Sequence, residues 1–458
     1  MDETSLRAEF DSAVATRPST PYLVANSVRA GKRLRRRRQI EAAAVSAGMV
    51  AVVAVLAPLL SGQFSNASRN GSAAQATVRG QGMAYVLTQI NDATSRVTPV
   101  RLSTGTAQRP LPVRGVVMAL SAAPSGKSVY VFSTPHNYVR NQKNYVTRVN
   151  AATSAVGKPV RLRGGLQEIQ EVDIGPGSRY AYAIEFGTWP GSKDGTRALV
   201  AINLATGAQR ALVDPASSFA ITPNGRMGFA LRLGQDVIPV DLATGTVLAP
   251  SKVPGMAMAM AVAPSGTTAY VLSDTRTTSS AHRGREWLTP IDAATGAAAK
   301  SIQLPPGIGI QQLAIGDNGR TAYLSGGQSV QPVSLPSGHA LKPVRLQPIL
   351  GDYLYNLVIP PRGTTGFAVP LMTWVQPFDL RTGTAESPVS LPSEYGTGYR
   401  TVTAPALDQS GDAFYVGATA YSAANVREDA LIPIQMSSRE PGQPISVAGL
   451  PVQVVIAG

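Results

Sequence analysis

Short apolar runs recur along the chain from about residue 80 to its end, and each alternates with polar positions before a tight turn. One version reads "VIPVDLATG" (237–245), an alternating run followed by a turn that ends in glycine. Glycine readily adopts the positive φ that such turns need, so this phrase predicts a β-hairpin. The hairpin phrase occurs at residues 98–105, 147–154, 200–207, 238–245, 289–296, 331–338, 376–383 and 432–439.

A second phrase recurs in step with the first and places one aromatic residue inside a short apolar run. From the second unit on, a turn such as "APSGK" and another apolar run precede it. We expect these aromatic side chains to pack between neighbouring units, and the Asp or Asn of "VDL" and "INL" to stabilise the hairpin turn. The aromatic positions are Tyr85, Tyr130, Tyr182, Phe229, Tyr270, Tyr323, Phe367 and Tyr415.

The apolar runs and turns of each unit thus predict four short antiparallel strands. Four strands in a repeat of roughly 40 to 50 residues are typical of a β-propeller blade. The fold class is therefore all-β, with eight four-stranded blades, or seven if one unit is distorted. The last residues, "LPVQVVIAG" (450–458), match the innermost strand that the first unit lacks, so we expect them to complete the first blade.

At these residues the chain resembles the YVTN (YncE-like) propeller repeat, which runs through a prolyl-glycyl turn, a Tyr-Val strand and a Val-Ile-Asp-x-x-Thr-Gly hairpin. The resemblance covers residues 80–458. The family's Asp before the turn glycine is usually Ser, Asn or Arg here, and its Asn after Tyr-Val is absent. The resemblance implies a divergent propeller of that family.

Residues 42–60 contain nineteen positions without a charge. A helix of that length spans about 28 Å, close to the hydrocarbon thickness of a bilayer. The basic run "GKRLRRRR" (31–38) directly precedes it, and basic residues stay on the cytoplasmic side. We therefore predict a single-pass protein of the cell membrane, with a cleaved signal peptide as the alternative.

The predicted organisation is a basic cytoplasmic arm (1–39), a transmembrane helix (40–61), a flexible linker (62–79) and an extracytoplasmic propeller (80–458). The net charge is +14, of which the arm contributes +5. Because the arginines lie beside the apolar segment, we assign them to membrane topology and expect no nucleic-acid partner.

The chain has no cysteine, three histidines and three tryptophans. Thiolate chemistry and disulfides are therefore excluded, and no two histidines lie at a metal-ligand spacing. We expect no cofactor, no metal and no catalytic residue in the repeat.

The connections from the aromatic strand to the next strand vary greatly in length. They lie on one face of the predicted ring, together with the loops that enter the inner strands, and binding residues concentrate in such loops. The candidate binding residues are His136, Tyr138, Arg140, Trp189, Arg197, His282, Arg283, Arg285, Trp287, Tyr353, Glu394, Tyr399 and Arg427.

The sequence favours a non-enzymatic scaffold that binds a protein or an anionic polymer of the cell envelope on this face. The alternative is a propeller enzyme of the lactonase, lyase or quinoprotein kind, with its site at the channel mouth.

Overall fold

The computed structural model describes most of residues 80–458. The segments it does not describe there are 92–93, 136–143, 164–167, 188–195, 233, 276–283, 307–309, 317–318, 327, 349–355, 361–362, 371, 392–398, 409 and 422–425. The predicted arm, transmembrane helix and linker lie outside the described residues. Within the described part of the chain, no helix is long and apolar enough to cross a membrane.

The described strands form eight antiparallel sheets, which are the eight blades of a β-propeller. The first two blades contain β1 (Met83–Asn91), β2 (Thr94–Arg101), β3 (Thr106–Ala107), β4 (Val116–Ala122), β5 (Ser128–Thr134), β6 (Tyr145–Asn150) and β7 (Val160–Arg161). Blades 3 and 4 contain β8 (Glu168–Ile174), a 3₁₀ turn (Pro176–Ser178), β9 (Tyr180–Gly187), β10 (Thr196–Asn203), β11 (Gln209–Val213), β12 (Ser218–Ile221), β13 (Met227–Leu231), β14 (Asp236–Asp241), β15 (Thr246–Val247) and β16 (Ser251–Lys252).

The second half of the ring repeats this plan. Blades 5 and 6 contain β17 (Met256–Val262), β18 (Thr268–Asp274), β19 (Glu286–Asp292), β20 (Ile302–Gln303), β21 (Ile310–Gly316), β22 (Thr321–Gly326), β23 (Ser329–Ser334), β24 (His339–Ala340) and β25 (Val344–Arg345). Blades 7 and 8 contain β26 (Asn356–Val358), β27 (Thr365–Val369), β28 (Trp374–Asp379), β29 (Thr384–Ala385), β30 (Val389–Ser390), β31 (Arg400–Thr401), β32 (Ala406–Leu407), β33 (Ala413–Tyr421), β34 (Arg427–Gln435) and β35 (Ile445–Ser446).

The C-terminal strand β36 (Leu450–Ala457) closes the ring by pairing with β1. It occupies the innermost position of blade 1, as the sequence predicts, in the sheet order β3-β2-β1-β36. Eight blades are thus confirmed, and the seven-blade alternative is not realised. Because the two ends of the propeller share one sheet, the blades cannot separate at the seam without breaking that sheet.

A glutamine in the closing strand also ties blade 1 to blade 2. The side-chain oxygen of Gln453 accepts a hydrogen bond from the Leu120 N–H, and its side-chain nitrogen donates to the Leu120 carbonyl, both at 2.9 Å. The amide thereby satisfies both backbone groups of one residue in the neighbouring inner strand. Similar side-chain links join inner strands β8 to β12 and β21 to β26.

The repeated hairpin turns have the predicted chemistry. In "VDLATG", the Asp241 carboxylate accepts hydrogen bonds from the N–H groups of Ala243 and Thr244, at 2.9 and 3.1 Å. Gly245 has a φ of 69°, the left-handed region that glycine tolerates best. Asn150, Asn203, Asp292 and Asp379 bind their own turns in the same way.

The recurring aromatics pack between blades, as expected. Each joins an apolar cluster formed with the next blade. The Tyr182 hydroxyl also donates to the Leu242 carbonyl of the next hairpin, at 3.3 Å. Burial near Asp408 raises the pKa of Tyr415, which faces blade 1, to about 12.

Each hairpin also meets the outer edge of the preceding blade. The Arg210 guanidinium donates to the Gly245 carbonyl at 3.0 Å, and the Arg439 guanidinium pairs with Glu386 at 2.9 Å. The Arg163 N–H donates to the Gly207 carbonyl at 2.9 Å. The residues of the hairpin phrase therefore stabilise their own turn and also bind the preceding blade.

We expect Gln453→Ala to weaken ring closure, because it leaves the Leu120 N–H and carbonyl without their protein partner. The expected loss is about 1–3 kcal/mol in the free energy of unfolding, measured by denaturant titration. Gln443→Ala is the matched control, since Gln443 is exposed near the same end of the chain. Equal stability of the two variants would show that the amide does not contribute to closure.

Candidate functional site

The strand order places two kinds of connection at opposite ends of the ring. The turns from first to second strand and the hairpins from third to fourth strand lie at one end, here called the hairpin face. The connections from second to third strand, and from each outer strand to the next blade, lie at the other end, here called the variable-loop face.

Most of the candidate binding residues lie outside the described part of the chain. These are His136, Tyr138, Arg140, Trp189, His282, Arg283, Tyr353 and Glu394. The structure describes Arg197, Arg285, Trp287, Tyr399 and Arg427, each at the variable-loop end of its blade.

Blade 5 brings two of the candidates together with two carboxylates. Arg285 is exposed and Trp287 is half-buried, on either side of Glu286. Glu286 pairs in register with Asp274 across β18 and β19, and the two side chains are only 4% and 3% exposed. The Thr275 hydroxyl accepts from the Arg285 N–H at 2.8 Å, which holds the base of the loop. Blade 5 thus places an exposed cation and a half-buried aromatic residue next in sequence to one of two paired, buried acids.

Sequence analysis did not identify this acid pair. Asp274 ends the aromatic strand and Glu286 begins the next, with eleven residues between them in the chain. Their positions could have predicted the pair, because in a hairpin the last residue of one strand lies opposite the first residue of the next.

Arg427 of blade 8 is held by a neighbouring carboxylate. Its guanidinium Nε donates to Asp429 Oδ2 at 2.9 Å, and Asp429 is 7% exposed. Burial raises the pKa of Asp429, while the nearby Arg427 opposes that rise. Arg427 therefore has a structural partner as well as an exposed position.

The remaining two described candidates are less available to a ligand. Tyr399 is 1% exposed and packs in the core cluster of blades 7 and 8. Arg197 is half-buried beside Phe186, and its backbone carbonyl accepts from Ala216 at 2.7 Å. We therefore leave Tyr399 out of the proposed binding surface.

A buried carboxyl group between blades 2 and 3 was also not predicted from the sequence. Glu185 is 0% exposed, and neither of its side-chain oxygens has a hydrogen-bond partner in the described structure. Desolvation raises the pKa of this carboxyl well above its usual value. The same position, three residues after the aromatic, holds Thr88 in blade 1, Ser133 in blade 2 and Ser273 in blade 5.

The inner strands carry few charges along the central channel. Their described acidic side chains, Glu171 and Asp173, both lie on β8. Asp173 is exposed, and partial desolvation raises the pKa of its carboxyl above the usual value. Among the described residues, no three His, Asp or Glu side chains are grouped to hold a metal ion.

The two faces differ in the sign of their exposed charge. The described carboxylates on the variable-loop face are all buried or half-buried: Glu185, Asp214, Asp236, Asp274, Glu286, Glu428 and Asp429. Cations stand exposed on the same face: Arg114, Arg285, Arg400 and Arg427. The hairpin face exposes acids as well, namely Asp292, Asp412 and Glu440.

No protein-family model and no curated protein sequence matches this chain. Among solved structures, the chain is similar to dihydro-heme d1 dehydrogenase NirN in complex with DHE, with a TM-score of 0.56 and 14% identity over 81% of this chain and 74% of that chain. It is also similar to apo AztD from Citrobacter koseri, with a TM-score of 0.52 and 14% identity over 81% of this chain and 97% of that chain. This likeness shows a shared β-propeller fold.

We expect Arg427→Gln to destabilise the protein by about 1–3 kcal/mol, because it leaves the buried Asp429 carboxylate without its cation. Asp429→Asn and the double variant complete a double-mutant cycle, measured by denaturant unfolding. A coupling energy near zero would mean that Arg427 is not held by Asp429 and is fully available to a partner.

Proposed function

We propose that this chain is a membrane-anchored, extracytoplasmic β-propeller whose variable-loop face binds an anionic polymer of the cell envelope without enzymatic turnover. The observation that carries the proposal is the charge of that face, where arginines such as Arg285 and Arg427 are exposed and the described carboxylates are buried or half-buried. Such a surface attracts polyanions over a distance set by the ionic strength.

Aromatic residues next to the cations support a specific contact in addition to charge attraction. The Arg114 guanidinium lies 5.1 Å from the centre of the Tyr145 ring, and Trp287 lies two residues from Arg285. Arginine forms bidentate hydrogen bonds with phosphate and carboxylate groups, and tryptophan offers an apolar face to a sugar or a backbone. We expect the polymer to lie across blade 5.

The resemblance of the repeats to the YVTN type supports a place in that propeller family. The eight-fold phrase and the closing C-terminal strand agree with it. In this proposal the repeat is a scaffold, and specificity belongs to the connections on the variable-loop face.

A propeller enzyme is the second candidate, and one observation favours it. Asp274 and Glu286 form a carboxylate pair beside exposed Arg285, and paired acids can act as general acid and base. In the binding proposal these two acids have a structural role only.

Binding can be measured with the purified full-length protein and poly(glycerol phosphate), with neutral dextran as the comparison polymer. We expect Arg285→Ala to weaken binding about tenfold, because a charge-assisted hydrogen bond contributes about 1.5 kcal/mol. Trp287→Ala should weaken it further, and added salt should weaken it for every variant that binds.

Lys127→Ala is the matched control, because Lys127 is an exposed cation on the hairpin face. Equal loss from Lys127→Ala and Arg285→Ala would contradict the proposed location. Release of soluble fragments from the polymer, abolished by Glu286→Gln, would establish the enzyme instead.

Membrane anchoring can be tested by recovering the mature protein from membranes and determining its N-terminus. The proposal expects an intact arm and segment 42–60, with the propeller accessible to protease added outside intact cells. A mature chain that begins after residue 60 would establish the cleaved signal peptide.

A further inference from the structure

Glu185 lies in an apolar seam between two blades. Its neighbours on β9 and β10, Ala183 and Ala198, pack in a cluster with Phe132 and Val146 of blade 2. Residues two apart on a strand share a face, so the Glu185 side chain points into this seam toward blade 2. The carboxyl is 0% exposed, and neither oxygen has a hydrogen-bond partner among the described residues.

Two neutral oxygen-bearing side chains face Glu185 from blade 2. Thr134 follows Phe132 by two positions on β5, and Asn144 precedes Val146 by two positions. Both therefore point into the same seam, toward blade 3. The register of β5 on β6 pairs Ser133 with Tyr145, so Thr134 and Asn144 are the next positions along the two chains; they are 6% and 1% exposed.

Glu185 and Thr134 lie at neighbouring positions along equivalent strands of the two blades. Glu185 is three residues past the recurring aromatic of blade 3, and Thr134 is four residues past that of blade 2. Strand alternation thus directs one carboxylate, one hydroxyl and one amide group into the variable-loop end of the same seam. All of their oxygens are hard donors of the kind that bind alkali and alkaline-earth cations.

We propose that Glu185, Thr134 and Asn144 form a buried binding site for one monovalent cation, sodium or potassium. A single buried carboxylate is neutralised by a single positive charge, whereas a divalent ion would leave excess charge in an apolar seam. The hydroxyl and amide oxygens would complete part of the shell. The ion would bind blade 2 to blade 3 at the base of their two long connections.

The site is independent of the proposed polymer binding. It lies beneath the surface, and its occupant is a cation, whereas the polymer is an anion. Failure of one proposal therefore leaves the other intact.

The test is denaturant unfolding of the full-length protein in sodium, potassium or tetramethylammonium chloride at equal ionic strength. The unfolding equilibrium constant should fall about tenfold for each tenfold rise in sodium or potassium above the dissociation constant. Tetramethylammonium is too large for the seam and should have no such effect. Glu185→Gln should abolish the response, and Thr134→Val and Asn144→Leu should weaken it.

Ser273→Ala is the matched control, because Ser273 is equally buried at the same strand position in blade 5. It should keep the full response. A wild-type protein that unfolds identically in all three salts would overturn the proposal. If Glu185→Gln does not fold, crystals soaked in thallium(I) decide the matter: an anomalous peak in the seam supports the site, and its absence overturns it.

Discussion

The contact of each hairpin with the preceding blade is the interaction on which the ring depends. A propeller blade is a small sheet that buries both faces only against its neighbours, so an isolated blade has no core of its own. Here the tyrosine of one blade and the outer edge of its sheet both reach the next hairpin, as Tyr182 and Arg210 reach the turn of 241–245. Closure by β36 then makes these contacts continuous around the ring.

This constraint leaves one face free to vary. The hairpin face must keep its short turns, because their carbonyl groups accept hydrogen bonds from the neighbouring blade. The connections on the opposite face are not subject to this hydrogen-bonding requirement, and they differ in length and charge from blade to blade. The charge of that face can therefore differ from that of the hairpin face: Arg285 is exposed there, while the adjacent Glu286 is buried.

Much of the fold could be predicted because its signals are local. The positive φ of Gly245, the acceptor role of Asp241 and the aromatic position of Tyr85 each depend on a few adjacent residues. The candidate site was harder to predict, since the sequences of the connections that carry it follow no repeated pattern. Tyr399 illustrates the difficulty: its loop suggested a surface residue, but its ring packs between blades 7 and 8.

The sequence by itself determined the repeat, the strand order within each blade and the closing role of the last strand, and it favoured eight blades over seven. These follow from alternation with a period of two and from turn residues at regular intervals. Only the tertiary structure decided which charges have partners and which are covered. Arg427 pairs with Asp429 two residues along the same strand, whereas Glu185 is covered by blade 2 and has no hydrogen-bond partner among the described residues, because burial depends on how the blades pack.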